Sequence, residues 1–120
     1  MNLEIIKAIK GLLDIPQKIV IIPHKNPDGD AIGSTLGLWH YLKDKGQDAT
    51  IIVPNDFPKF LKWMPGSEQI VNFERDASAA KSLINNATVI FTLDFNHLGR
   101  IGQLQPLLEG SSATFVMIDH

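Results

Sequence analysis

Cysteine is absent from the 120-residue chain. Its absence excludes disulfides, thiolate zinc sites and cysteine nucleophiles, while leaving the redox compartment open. Long apolar runs are absent too, since none approaches the ~20 residues that span a bilayer. The opening stretch MNLEIIKAIKGLLDIPQK is no signal peptide, because acidic and basic residues interrupt its apolar positions. The expected location is therefore the cytoplasm, with no membrane partner. An excess of charge of one sign is also missing. The net charge is −2, so there is no global basic field for long duplex nucleic acid, and any nucleotide substrate should be short and locally bound. No internal repeat, low-complexity tract or domain linker interrupts the chain. What is present is the composition of an ordinary soluble domain, 44% hydrophobic and 20% charged, at a length that suits one small domain.

Apolar patterning alternates between two periods. Leu3, Ile6, Ile9 and Leu13 follow helical spacing, with Glu4, Lys7 and Lys10 turned outward, and Pro16 ends that helix. Residues 18–22 form a β-branched run closed by proline, which suits a strand buried on both faces. A helix is expected from Asp30, with Ile32, Leu36, Trp39 and Leu42 as its stripe, Lys43 and Lys45 near its end, and Gly46 as the stop. ATIIVPN reads as a second strand. DFPKFLKWMPG reads as a loop with a short helix. Asp76 is placed to cap a helix carrying Ala77, Ala80, Leu83 and Ile84. ATVIFTLD is a third strand, 103–109 a short helix, and ATFVMIDH a fourth strand. Strands alternating with helices predict an α/β fold with a mainly parallel sheet.

Ligands of an open α/β sheet bind outside the carboxyl ends of its strands. In this chain those ends are chemically alike. IVIIPHKNPDGD leads to His24, Asp28 and Asp30; TVIFTLD ends on Asp94; TFVMIDH ends on Asp119 and His120. Four carboxylates gathered in one cleft repel each other, so protons or cations must neutralise them. Oxygen and imidazole donors without thiolate suit manganese, magnesium or iron, with zinc also compatible. Four acidic groups have enough oxygens for two ions sharing a bridging carboxylate, an arrangement that serves in-line displacement at phosphorus. Gly29 lets the backbone turn tightly between two aspartates. Gly33 and Ser34, at the expected helix start, are candidates for contact with a phosphate. The two common nucleotide loops do not fit: Ala31 stands where G-x-G-x-x-G needs its second glycine, and no lysine follows a glycine as a P-loop requires.

Other residues have plainer readings. Asp28 and Asp30 taken singly suit a turn and a helix cap, and Asp94 and Asp119 suit turn caps. His40 reads as a packing or surface histidine, His97 as a loop residue, Lys25 as exposed, and Trp39 and Trp63 as core or partial core. Arg100 is open between an ordinary surface residue and a bidentate phosphate contact.

Together these residues resemble the DHH phosphoesterase family. The pattern is His-x-x-x-Asp-x-Asp at His24, Asp28 and Asp30, an aspartate after a strand at Asp94, and Asp119–His120 after another. HKNPDGDAIGSTLGL is particularly similar to the branch that degrades nanoRNA and dephosphorylates 3′-phosphoadenosine 5′-phosphate. The resemblance runs from about Lys18 to His120 and implies a Rossmann-like domain with helices on both faces of the sheet. It implies a two-ion manganese site, magnesium being the alternative, with His24, Asp28 and Asp94 on one ion and Asp30, Asp94 and His120 on the other. Asp119 would orient the site, and Asp119, His120 and Asp30 would be its catalytic residues. The implied reaction is attack of a metal-bound hydroxide on the phosphorus of short RNA or a nucleotide.

The family's third motif reads Asp-His-His, whereas this chain stops after the first histidine. Residues 1–120 are thus expected to be an incomplete N-terminal DHH domain, lacking the second histidine, a further metal-binding aspartate and the substrate-binding domain. Alone, the chain is expected to bind metal weakly, to turn over poorly and to be capable of self-association. The competing readings are another DHH hydrolase, acting on single-stranded DNA, cyclic dinucleotides or pyrophosphate, a non-catalytic nucleotide- or metal-binding module, and a structural domain whose aspartates cap turns.

Overall fold

The computed structural model of the protein describes residues 7, 10–24, 29–55, 59–93 and 105–118. Five strands make one sheet: β1 (Lys18–Pro23), β2 (Asp48–Val53), β3 (Val71–Asn72), β4 (Val89–Leu93) and β5 (Thr114–Ile118). Their order is β3-β2-β1-β4-β5, and every neighbouring pair is parallel. The order reverses direction at β1, so β1 and β4 flank the topological switch point of a doubly wound sheet. The α/β expectation holds, but the described residues form five strands where the hydropathy pattern marks four. β3 escapes a pattern-based reading because a two-residue ladder has no period to detect.

Among the elements described in full, three α-helices cover the sheet: α1 (Gly29–Asp44), α2 (Ala77–Asn86) and α3 (Gln105–Glu109). In β1 every residue from Ile19 to Pro23 is buried, which only a strand covered on both faces requires. Its alternate side chains sort into two cores. Ile19 and Ile21 join Ile51, Val53, Phe91 and Leu93 under Ile32, Leu36 and Leu42 of α1. Val20 and Ile22 join Ile52 and Ile90 under Ala80 and Ile84 of α2 and Leu108 of α3. Phe91, in a central strand and fully buried, fills the first core, where truncating it to alanine would cost about 3–5 kcal/mol.

The α1 stripe is the expected one, with Ile32, Leu36 and Leu42 buried and Trp39 packed half-buried against the same core. Gly46 stops it with φ +80°. The Gln47 N–H reaches the Leu42 carbonyl at 3.0 Å and the Gly46 N–H reaches that of Lys43 at 3.0 Å. Those two bonds make a Schellman motif, whose left-handed residue glycine adopts without strain. The Lys43 and Lys45 ammonium groups lie 5.9 and 5.6 Å from the ring centres of Trp39 and Tyr41.

Asp76 occupies the N-cap of α2, but its carboxylate makes no capping bond. Its carbonyl instead accepts from the Ala80 N–H at 3.1 Å. Residues 10–12 are helical and the chain turns before Pro16, leaving Lys7 and Lys10 exposed and Leu12 and Leu13 packed on the α1 side of the core. Leu3, Glu4, Ile6 and Ile9 lie outside the described residues.

The connection from β2 to β3 carries two 3₁₀ turns, Lys59–Trp63 and Ser67–Gln69. It straps across α1. Met64 lies 3.8 Å from where a Cβ on Gly33 would stand. The Pro65 carbonyl is 3.0 Å from Nε2 of His40. Gly66, at φ +91°, passes so close to Trp39 that a Cβ would stand 2.9 Å from Cζ3 of the indole. Here glycine answers both a left-handed backbone and a close approach. The Trp39 indole N–H donates to the Ala49 carbonyl at 3.0 Å, and the His40 ring meets Trp39 edge-on at 4.9 Å. Both residues are thus packing groups, as their helical positions predict. Trp63 is the exception. It is 76% exposed, against the expectation of a core or partly core residue. Its segment is a short 3₁₀ turn, which has no full helical face to bury.

Candidate functional site

The register fixes where three strands end. Pro23 of β1 stands opposite Leu93 of β4, and Leu93 stands opposite Ile118 of β5. The carboxyl ends of three adjacent strands therefore lie side by side, across the switch point where α/β sheets bind ligands. In the sequence, these three residues are followed directly by His24, Asp94 and Asp119. His24 is half-buried just beyond β1. Asp30 is the second residue of α1, whose amino terminus opens at this same edge because α1 follows β1 after a short connection. Asp28, Asp94, His97, Arg100, Asp119 and His120 lie outside the described residues, as does Lys25. Among the described residues no group of three His, Asp or Glu side chains comes together to hold a metal.

Gly33 and Ser34 sit later in the helix than expected. α1 begins at Gly29, so both fall in its second turn, past the amides that a helix start leaves unpaired. Ser34 is exposed there and offers a hydroxyl rather than a free backbone amide. Thr92, one residue before the end of β4, is 2% exposed, and its Oγ1 has no hydrogen-bond partner among the described residues. Sequence reasoning gave no sign of it, since threonine is common in strands.

The opposite edge is built differently. The residues immediately before β1, β2 and β4 are Gln17, Gln47 and Thr88. Gln47 is 6% exposed. Its Oε1 accepts from the Gln17 backbone N–H at 2.8 Å, and its Nε2 donates to the carbonyls of Leu13 and Ile15 at 3.2 and 3.3 Å. The Gln17 amide donates to the Leu12 carbonyl at 2.7 Å and accepts from the Thr88 hydroxyl at 2.7 Å. Thr88 Oγ1 in turn accepts from the Lys18 N–H at 3.0 Å. These groups satisfy one another and tie residues 12–17 to the sheet. A depression lined by Lys18, Asp48, Thr50, Leu83 and Asn86 lies toward the same amino-terminal edge, away from the residues that follow the strands.

Comparison with known proteins agrees with the topology. The N-terminal domain of the DHH family matches residues 18–120. The chain belongs to the DHH family, and the described region is that family's N-terminal α/β domain. A bifunctional oligoribonuclease and PAP phosphatase, NrnA of Thermus thermophilus, is 30% identical over 96% of this chain and 37% of its own length. The crystal structure of an exopolyphosphatase-related protein from Bacteroides fragilis superposes with a TM-score of 0.95 at 44% identity, covering 99% of this chain and 35% of that one. The chain thus spans about a third of the length of the relatives it matches. No described helix is long and apolar enough to cross a membrane.

Proposed function

We propose that this chain is the metal-binding part of a phosphoesterase that hydrolyses short oligoribonucleotides, 3′-phosphoadenosine 5′-phosphate, or both. The observation that carries the reading is the shared register of Pro23, Leu93 and Ile118. Consecutive Cα atoms are about 3.8 Å apart, so the residues that follow these three set out from one short stretch of edge. They are an imidazole and two carboxylates.

The donor set fits divalent ions. It offers oxygen and nitrogen without thiolate, the preference of manganese and magnesium, and DHH phosphoesterases are in general dependent on divalent metal. His24, Asp28 and Asp94 would hold one manganese, and Asp30, Asp94 and His120 the other. Such ions, when bound, lower the pKa of water to about 7 and offset charge on a phosphoryl oxygen. The chain's own part is to hold the donors at the ends of two central strands, β1 and β4, and the edge strand β5 paired to β4, so that little reorganisation is needed when phosphate arrives. Asp119 would orient the donors, and the Ser34 hydroxyl and Arg100 guanidinium would contact phosphate. Residues 1–120 would act with a further domain that closes the cleft over substrate.

Binding of manganese and magnesium to the 120-residue chain, followed by calorimetry and thermal shift, tests the site. Uptake is expected, and Asp94→Ala should abolish it. Absence of both heat and thermal shift with either metal, in the full-length protein as well as in the 120-residue chain, sinks the reading. Hydrolysis is then assayed on the full-length protein with a dinucleotide, 3′-phosphoadenosine 5′-phosphate and tripolyphosphate. The likeness to an exopolyphosphatase-related structure favours a second reading, in which the substrate is a base-free phosphate chain. Cleavage of tripolyphosphate with both nucleotides untouched would select it.

A further inference from the structure

Trp63 is the most exposed of the large apolar side chains described, at 76%. Burying an indole stabilises a fold more than burying almost any other side chain, so an indole that these 120 residues leave in water is available to something outside them. Its position is fixed by its neighbours. Met64 lies beside Gly33 in the second turn of α1, and Gly66 lies beside Trp39, six residues further along the helix. The strap therefore runs from the amino-terminal turns of α1 toward its middle as the chain goes from Met64 to Gly66. Trp63 precedes Met64, at the end of α1 that opens on the carboxyl edge of the sheet. The strap also leaves the sheet at that edge, from Val53 of β2. Two lysines, Lys59 and Lys62, share the 3₁₀ turn with Trp63, and both are exposed.

An exposed indole with cationic neighbours beside a phosphate-directed edge has the composition of a stacking platform. Aromatic faces take any base, and neighbouring cations follow the backbone phosphates. We infer that Trp63 stacks on a nucleobase of the substrate, with Lys59 and Lys62 drawing in its phosphate. The inference rests on the nucleotide reading above and deepens it, because a base-free phosphate chain would have no use for the indole.

AMP and ribose 5-phosphate differ only in the base, and their affinities with manganese, measured by calorimetry on the full chain, test the assignment. The wild type should bind AMP about tenfold more tightly. Trp63→Ala should remove that margin and leave ribose 5-phosphate affinity unchanged, and Trp63→Phe should restore most of it. Thermal unfolding of both variants should match the wild type, since the side chain is mostly in water. An equal margin in wild type and Trp63→Ala overturns the platform and leaves the nucleotide reading standing. Equal binding of the two ligands by the wild type also overturns it and points to the phosphate-chain reading. If neither ligand binds, the platform and the nucleotide reading fall together.

Discussion

The two ends of the sheet are bordered in the sequence by polar residues in matching places, and the proposed site would use its set in the opposite way from the amino-terminal one. Gln17, Gln47 and Thr88 stand immediately before their strands, and His24, Asp94 and Asp119 immediately after theirs. An amide or a hydroxyl both donates and accepts, so the Gln17 and Thr88 side chains pair with each other and Gln47 pairs with the backbone of residues 13–17, closing a network. An ionised carboxylate only accepts. Carboxylates cannot satisfy one another, so if the proposed site forms, a set of them at one edge would need a cation or donors from outside. The difference teaches that residue chemistry, more than residue position, separates a strand end that holds the fold from one that offers a site.

Substitutions at the two ends should therefore fail in opposite ways. The largest effect is expected at the carboxyl end. Asp94→Ala should abolish manganese uptake and any turnover that depends on it, yet leave the metal-free melting temperature unchanged or slightly raised, because one of several like charges is gone. A large loss of metal-free stability would break the comparison. At the amino end, Gln47→Leu should cost about 1–2 kcal/mol in urea unfolding, since it leaves a part-buried N–H and two carbonyls without their partner. Metal affinity per folded molecule should not change. Thr92→Val sharpens the contrast from within β4. Removing a buried hydroxyl that has no partner among the described residues should leave stability level or raise it by up to about 1 kcal/mol. A loss of that size would mean that the chain beyond Leu93 holds the hydroxyl. The smallest effect belongs to neither end. A Cβ at Gly37, in the middle of α1, would meet nothing within 4 Å, so Gly37→Ala should stabilise by about 0.5–1 kcal/mol.

Much of the fold was legible because burial on two faces leaves a strong imprint. The unbroken apolar runs of β1 and β4 could serve only as covered strands, and Ile32, Leu36 and Leu42 mark α1 by spacing alone. Gly46 announced the end of α1 because few other residues take its backbone conformation. The two-residue β3 left no pattern, and Asp76 suited a cap whose bond its carboxylate does not make. The amino-terminal network was invisible for a different reason. Glutamine and threonine occur anywhere on a surface, and only three-dimensional pairing gives Gln47 its meaning. Trp63 misled because composition favours a buried tryptophan, while a single short 3₁₀ turn leaves no hydropathy period to place it. At the site, the strand ends were predictable from the topology, and β1, β4 and β5 end together as that prediction requires. Chemistry beyond those ends depends on the residues that leave the sheet, where no periodicity guides a reading.

Gln47 joins three parts of the molecule through one residue. Its backbone N–H completes the termination of α1, its side chain grips residues 13–17, and the next residue begins β2. Unravelling from either side must break the same knot. Amide protons of residues 13–17 should therefore exchange with solvent in step with those closing α1, as one cooperative unit.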